Sequence, residues 1–517
     1  MAILALAVFC VPASLPTMAD GVPSSTADHT KFKDLQKPFK SGPEVTKACL
    51  NCHTEAAKHV QKTTHWRWLY DNKLTGQTLG KRHVVNSFCG ATASNDAFCT
   101  SCHVGYGWKD MRQPPPADVT VDCLVCHDTT ATYRKGEGLA GLPDARTTAN
   151  LTEIARKVGK SGRHNCGNCH FHGGGGNGAK HGDLDNSLIT PSYYLDVHMD
   201  EMGLNFSCSR CHGSAAHQVQ GSRYATTARD THGVDAPGRD DGNHATCESC
   251  HGAVPHKQRK LNHHTDRVAC QTCHIPEFAR GSVPTKMYWD WSSAGRLDAA
   301  GKPISEVDPR GYEVYNSKKG TFEWERNQRP EYRWYNGRIR YTLVTDKLDD
   351  SRQPIAINAV EGAPDDPDSR IWPFKVMRGK QVYDTELKTL LVNHIAGKDD
   401  PTAFWNGFDW ATSLKVGTSF AGQPFSGKWG FVETTMAWPI THMVAPKDKA
   451  LACQECHVRD GRLAALTGFH LPGRDYSPIL EWLGYTMVGG ALFGVTGHAL
   501  ARVVLALRRR RRTADGR

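Results

Sequence analysis

The stretch Cys99-Thr100-Ser101-Cys102-His103 sets two thiols three positions apart and an imidazole directly after the second. The pattern recurs at Cys49/Cys52/His53, Cys123/Cys126/His127, Cys166/Cys169/His170, Cys208/Cys211/His212, Cys247/Cys250/His251, Cys270/Cys273/His274 and Cys453/Cys456/His457. Sixteen of the 18 cysteines are used in this way, leaving Cys10 and Cys89. Two thiols so spaced meet the two vinyl groups of a haem as thioethers, and the adjacent imidazole reaches the iron from one face. Zinc sites would need the pairs to gather in fours, and disulfides give no reason for the histidine. The motifs therefore predict eight covalently bound haem c groups, each with its own proximal histidine.

Composition agrees with a core of that kind. The chain has 517 residues, of which 39% are hydrophobic, and a mean hydropathy of -0.51. Aliphatic side chains alone fill such an interior poorly, whereas haem faces are large and apolar. The expected fold is mainly α with long loops: a multihaem cytochrome c with a haem-filled core, a minor β-hairpin region and a C-terminal transmembrane helix.

Both termini carry targeting signals. Residues 1–19 form a short apolar run ending in small residues, a signal-like segment that includes Cys10 but lacks a charged start. From Leu483 to Ala501 no Asp, Glu, Lys or Arg interrupts the chain, and apolar character continues to Leu507, enough to span a bilayer. Trp482 and Tyr485 sit where interfacial aromatics belong, and Arg508 to Arg512 follow directly. The positive-inside rule puts residues 508–517 in the cytoplasm and the haem domain in the periplasm, with a single-pass anchor in the cell membrane. An arginine run against an apolar span argues for a membrane and against nucleic acid. The net charge of +10 includes that run and omits haem propionates, so it says little about partners.

Seven motifs crowd into residues 20–274, and the eighth stands alone in 453–470. Between them, 275–452 is free of cysteine and rich in aromatics, as in Met287-Tyr-Trp-Asp-Trp291 and Thr321-Phe-Glu-Trp-Glu325. A hairpin is expected there, Tyr332–Trp334 against Arg338–Val344 across Asn336-Gly337. The other aromatics are read as packing against haem or core. Residues 471–482, with Pro472, Gly473 and Pro478, read as a linker into the helix at 483–507.

A haem that only carries electrons needs a second axial ligand. Of 26 histidines, those outside the motifs exceed the demand. The preferred distal set is His65, His181, His198, His217, His256, His264 and His442, with His263 as an alternative to His264. Seven for eight leaves one haem different. The fourth motif runs on as Phe171-His-Gly-Gly-Gly-Gly-Asn-Gly-Ala-Lys180-His-Gly-Asp183. Its glycines allow close backbone approach to a flat cofactor; Lys180, from its own surroundings in the sequence, reads as a solvent lysine.

The eight motifs, this glycine-lysine segment, and the isolated last motif within Thr441-His-Met-Val-Ala-Pro-Lys-Asp-Lys-Ala-Leu-Ala-Cys453 resemble the octaheme tetrathionate reductase family, over roughly Lys47 to His457. The resemblance implies that the catalytic haem is the second, held by Cys99, Cys102 and His103, with Lys180 as its distal ligand. A coordinating amine must be neutral, so its pKa has to be depressed. Cys89, ten residues before Cys99, has no disulfide partner once Cys10 is removed; the resemblance associates a cysteine near this position with the active site. It also reaches multihaem enzymes that convert nitrite and hydroxylamine, so the implied substrate is a small sulfur or nitrogen compound. An inert buried thiol and a non-catalytic electron conduit remain the alternative readings.

Gly490 and Gly494 form a GxxxG pair in the span, and His498 lies within it. Such a face favours docking of another helix, read here as a membrane cytochrome b or quinone-linked electron-transfer subunit; a plain anchor is the simpler alternative. Replacing Gly490 and Gly494 by Leu is expected to abolish haem reduction by quinol in membranes, followed by haem absorbance. Unimpaired reduction would remove the docking reading.

Overall fold

The computed structural model describes residues 25–85, 89–115, 118–236 and 240–514, without the side chains of 513 and 514. The signal-like segment 1–19, with Cys10, lies outside the described residues. The cysteine motifs ride on or directly beside short helices, as in Gly42–Leu50, Leu124–His127, Arg163–His170, Glu248–His251, Cys270–His274 and Cys453–Cys456. A helical turn brings residues three apart onto one face, so both thiols of a motif point the same way. The first of these helices starts cleanly because Ser41 Oγ accepts from Glu44 N and Pro43 sits in the opening turn.

Where the sequence predicts only a minor hairpin region, the structure has an eight-stranded sheet. Its strands are β1 (Thr285–Asp290), β2 (Ser305–Val307), β3 (Glu313–Asn316), β4 (Gly320–Glu325), β5 (Glu331–Tyr335), β6 (Ile355–Ala356), β7 (Arg370–Asp384) and β8 (Trp429–Pro439). The order is β6-β8-β7-β1-β4-β3-β2, with β5 also paired to β7. Antiparallel β7 and β8 are in register from Phe374↔Pro439 to Asp384↔Trp429, whereas β7 and β1 run parallel through Arg378↔Tyr288. Nearly every residue of β7 is buried. A strand covered on both faces shows no polar alternation, and periodicity therefore does not reveal it.

The expected hairpin does not form. Trp334 in β5 pairs with Ile371 in β7, while Ile339–Tyr341 pairs with Asn358–Val360 in a separate two-stranded sheet. A tight two-residue hairpin turn needs left-handed backbone at both central positions. Gly337 has it, at φ 93°, and Asn336 does not. Asn336 Nδ2 instead donates to Asp366 Oδ2 at 2.8 Å, so the chain leaves the sheet.

Aromatics do build the core: Trp289, Phe322, Tyr335, Trp372, Phe374 and Trp438 are buried in one cluster around β7. The start of β7 is also the platform for two cysteine motifs. Ala269 N and Thr272 Oγ1, at the seventh motif, both donate to Ile371 O. Glu248, inside the sixth motif, pairs with Arg370, their side chains 10% and 7% exposed. From Pro478 to Ala514 a single exposed helix follows, long and apolar enough to cross a membrane.

Removing the guanidinium at Arg370 strands the Glu248 carboxylate in the interior. Arg370→Ala is expected to cost about 3–5 kcal/mol, seen as a lowered denaturant midpoint at unchanged haem content.

Candidate haem and catalytic site

An ion held between two imidazole nitrogens at about 2 Å each, with about 1 Å from nitrogen to ring centre, separates the two centres by roughly 6 Å. Seven of the eight motif histidines face a second histidine at that spacing. The ring centres are 6.4 Å apart for His53 and His29, 6.4 Å for His127 and His217, and 6.2 Å for His170 and His65. They are 6.1 Å apart for His212 and His442, 6.0 Å for His251 and His198, 5.8 Å for His274 and His256, and 6.0 Å for His457 and His264. His217 is also 6.0 Å from His59.

Several of these rings spend Nδ1 on the protein. His127 Nδ1 pairs with Gly159 O at 2.8 Å, His212 Nδ1 with Gln220 O at 3.0 Å, His457 Nδ1 with Pro472 O at 3.0 Å and His264 Nδ1 with Lys260 O at 2.8 Å. A proton held on Nδ1 leaves the Nε2 lone pair for a metal. Spacing and tautomer together fit haem iron between the rings.

His181 is not part of this set; its ring lies 4.5 Å from Trp438. His29 stands where a seventh distal ring was expected. It precedes the first motif in a short helical turn, His29–Lys31, and only its position upstream of Cys49 could have drawn attention to it.

Thiols of different motifs also meet. Cys49 contacts Cys123, Cys102 contacts Cys169, Cys166 contacts Cys208 and Cys247 contacts Cys270. Cys126 lies near Cys166, Cys211 near Cys250, and Cys273 near Cys456. The motifs thus follow one another in space as first, third, fourth, fifth, sixth, seventh and eighth, with the second joined at the fourth.

Cys52 departs from the picture of attachment thiols enclosed in a haem-filled core. It is exposed and stands in the turn beyond the helix Gly42–Leu50, off the helix that carries Cys49. Its backbone N donates to Cys49 O at 3.2 Å, which keeps the two thiols of the motif one turn apart. Cys49 makes the contact to the next motif, and Cys52 is left facing solvent. A thioether needs reach to the haem edge, not burial of the sulfur. Cys126, Cys211, Cys250 and Cys453 are exposed in the same way.

The second motif has different surroundings. His103 is fully buried among Trp66, Trp68 and Trp108, the nearest ring centre 4.2 Å away. Among the described residues its ring faces tryptophan and no second histidine. Burial holds the imidazole neutral, pushed down to about 3.

Lys180 is 4% exposed. Burial pushes its amine down to about 7, with Arg223 and Lys81 acting in the same direction and Cys89 and Cys99 opposing. The groups in its electrostatic reach are therefore the two thiols at and before the second motif and two further cations. Cys89 is half-buried against the aromatic core.

The sheet holds the loop that carries Lys180. Thr285 Oγ1 donates to Gly178 O at 2.7 Å, and Lys286 N donates to Ala179 O at 3.1 Å. Lys375 Nζ, from a fully buried side chain on β7, donates to Ala179 O at 3.0 Å and Lys180 O at 2.6 Å, and also reaches Thr285 Oγ1. The glycines meet sheet residues at close range: a Cβ at Gly175 would come within 3.2 Å of Trp289, and one at Gly178 within 2.9 Å of Val283, both from left-handed backbone.

Three positions beyond, Asp183 Oδ2 accepts from Thr441 N at 2.8 Å and His442 N at 3.0 Å, and lies 3.2 Å from His442 Nδ1. One loop thus presents Lys180 and also seats the ring opposite His212. Lys286 Nζ sits 3.4 Å over Phe322 and 4.0 Å over Trp289. A cavity of about 300 Å³, lined by Phe98, Lys318, Lys319 and Trp405, opens beside the residue preceding Cys99. Lys81, Arg223, Lys286 and Lys375 were not singled out in the sequence. A lone lysine in the apolar run Ile371-Trp-Pro-Phe-Lys375-Val-Met377 was the one legible signal, because a buried charge needs a purpose.

Residues 286–460 match the family described as bacterial cytochrome c. Over 84% of its length the chain is similar to a crystal structure of an octaheme cytochrome c from Shewanella oneidensis, at 41% identity, 95% coverage of that chain and a TM-score of 0.75. Curated proteins returned no match.

Replacing Lys375 by Met leaves two buried carbonyls short of a donor, at about 1–3 kcal/mol each. Lys375→Met is expected to loosen the Lys180 loop, lowering thermal stability and raising proteolytic cleavage between Gly173 and Gly182. Unchanged cleavage would deny Lys375 its bracing role.

Proposed function

This chain belongs to the octaheme c-type cytochromes and carries several covalently attached haems; we propose that it is a periplasmic, membrane-anchored oxidoreductase that converts a small sulfur or nitrogen compound. In this reading all eight motifs would bind haem c, and the seven histidine pairs described above would each hold an iron, with His29 in that set and His181 outside it. The haem of Cys99, Cys102 and His103 takes Lys180 and is the catalytic one. The observation that carries the proposal is that difference in surroundings: seven motif histidines face another histidine, and His103 does not.

Haem c supplies one-electron storage and transfer when bound. The chain's own residues do the rest. Lys180, with its amine pushed towards neutrality, offers a lone pair that a substrate can displace. Cys89 adds a thiol beside it, and an S–S bond such as that of tetrathionate is what a thiolate attacks. Lys81 and Arg223 supply positive charge beside Lys180, while the nearby Asp183 carboxylate is committed to Thr441 N, His442 N and the His442 ring. A site of that sign favours anions such as tetrathionate and nitrite over neutral hydroxylamine. The eighth motif is next in sequence to the helix Pro478–Ala514, so electrons exchanged with a quinone-linked membrane partner would travel from the eighth motif to the fourth and from there to the second.

The test is to reduce the purified holoprotein and follow its reoxidation by tetrathionate, nitrite and hydroxylamine in turn. Wild type is expected to be reoxidised by at least one of them. Lys180→Ala is expected to slow that reaction by about 100-fold or more and to let added cyanide bind one haem. A reduced protein inert to all three, with no ligand-binding haem in either form, would leave a pure electron conduit.

A further inference from the structure

Between the fifth and sixth motifs lies a group of side chains that the haem reading leaves unused. His232 and His244 face no motif histidine at haem spacing, yet both turn Nδ1 toward Asp235, at 3.2 Å and 2.7 Å. His244 Nε2 lies 2.8 Å from Asp240 Oδ2. His232, Asp235 and Asp241 bring their ligand atoms within 4.8 Å of one another, and so do Asp235, Asp240 and His244. Asp235 belongs to both groups.

The Asp235 carboxylate is the second, independent observation. Its side chain is 5% exposed, and neither oxygen has a hydrogen-bond donor. Two imidazole nitrogens approach it closely without hydrogen-bond alignment. A carboxylate without an aligned donor keeps lone pairs for a cation, whereas one bound only to protein would take N–H groups end-on.

We propose that this cluster is a binding site for a divalent cation of borderline softness, zinc being the type, held by Asp235, His232 and Asp241. His244, with Nδ1 toward the other Asp235 oxygen and Nε2 toward Asp240, holds that carboxylate in place. Imidazole together with carboxylate selects such ions over calcium and magnesium, which take oxygen alone. The surrounding chain is already tied to the sixth motif. Asp235 N donates to Ser249 O at 2.9 Å, and Ser249 Oγ donates to His244 O at 3.2 Å. An ion here ties His232 and Asp241, through Asp235, to the helix Glu248–His251. The site does not depend on which substrate the second motif handles.

Purified holoprotein stripped with EDTA, equilibrated with Zn²⁺ and desalted is the material for the test, with zinc measured by mass spectrometry against haem iron. Wild type is expected to keep about one zinc per chain. Asp235→Asn and His232→Gln are each expected to bind Zn²⁺ at least about 10-fold more weakly, with the haem spectrum unchanged. If Asp235→Asn loses haem, His232→Gln and Asp241→Asn, both at exposed positions, carry the comparison. Zinc absent from wild type, zinc kept equally by the variants, or Ca²⁺ displacing Zn²⁺ at equal concentration would each overturn the proposal.

Discussion

Two imidazoles held with their centres roughly 6 Å apart are the constraint on which the rest of this molecule depends. Each such pair joins remote stretches of chain: His65 reaches His170, His442 reaches His212 and His264 reaches His457. The helices bearing the motifs are a turn or two long, too short to persist in water by themselves. Iron held between the paired rings would therefore take part in folding the motif-rich half. Metal-dependent chains of this kind draw folding free energy from ligation itself.

The sheet between the seventh and eighth motifs has a different task. Its core is aromatic, and β7 pushes one amine, Lys375 Nζ, from the strand into the loop after the fourth motif. β1 adds Thr285 and Lys286 to the same loop. A glycine-rich segment is a poor support by itself, since glycine loses the most conformational freedom on ordering. Bracing from two strands removes that weakness and fixes where Lys180 stands. The long cysteine-free stretch is thus the mould for the unusual motif.

How much of this was legible follows from the range of each interaction. The cysteine motifs are local, five residues carrying their own chemistry, and they read directly. Whether a given thiol ends up enclosed, as Cys102 is beside Cys169, or facing solvent, as Cys52 is, depends on which motif packs next to it. Pairing of histidines is long-range too; with more imidazoles than sites, nothing near His29 or His181 in the sequence distinguishes them. One ends beside His53 and the other against Trp438. The sheet was hidden for a related reason. β7 is buried on both faces, so the alternation that betrays a surface strand is missing, and the hydrogen bonds of β5 go to a strand some forty residues on rather than across Asn336-Gly337. Aromatic clusters were visible, but their partners were not.

The order of the motifs in space has a consequence for timing. Six links run in one line, and the second motif hangs from the fourth as a spur. With haem on each motif, charge passing along the line need not cross the second motif, and a slow event on the spur leaves the line open. On the proposed reading the line would then act as a reservoir, filling one electron at a time from the membrane side and emptying in a burst when a substrate needs several. Supply and demand are decoupled by branching alone.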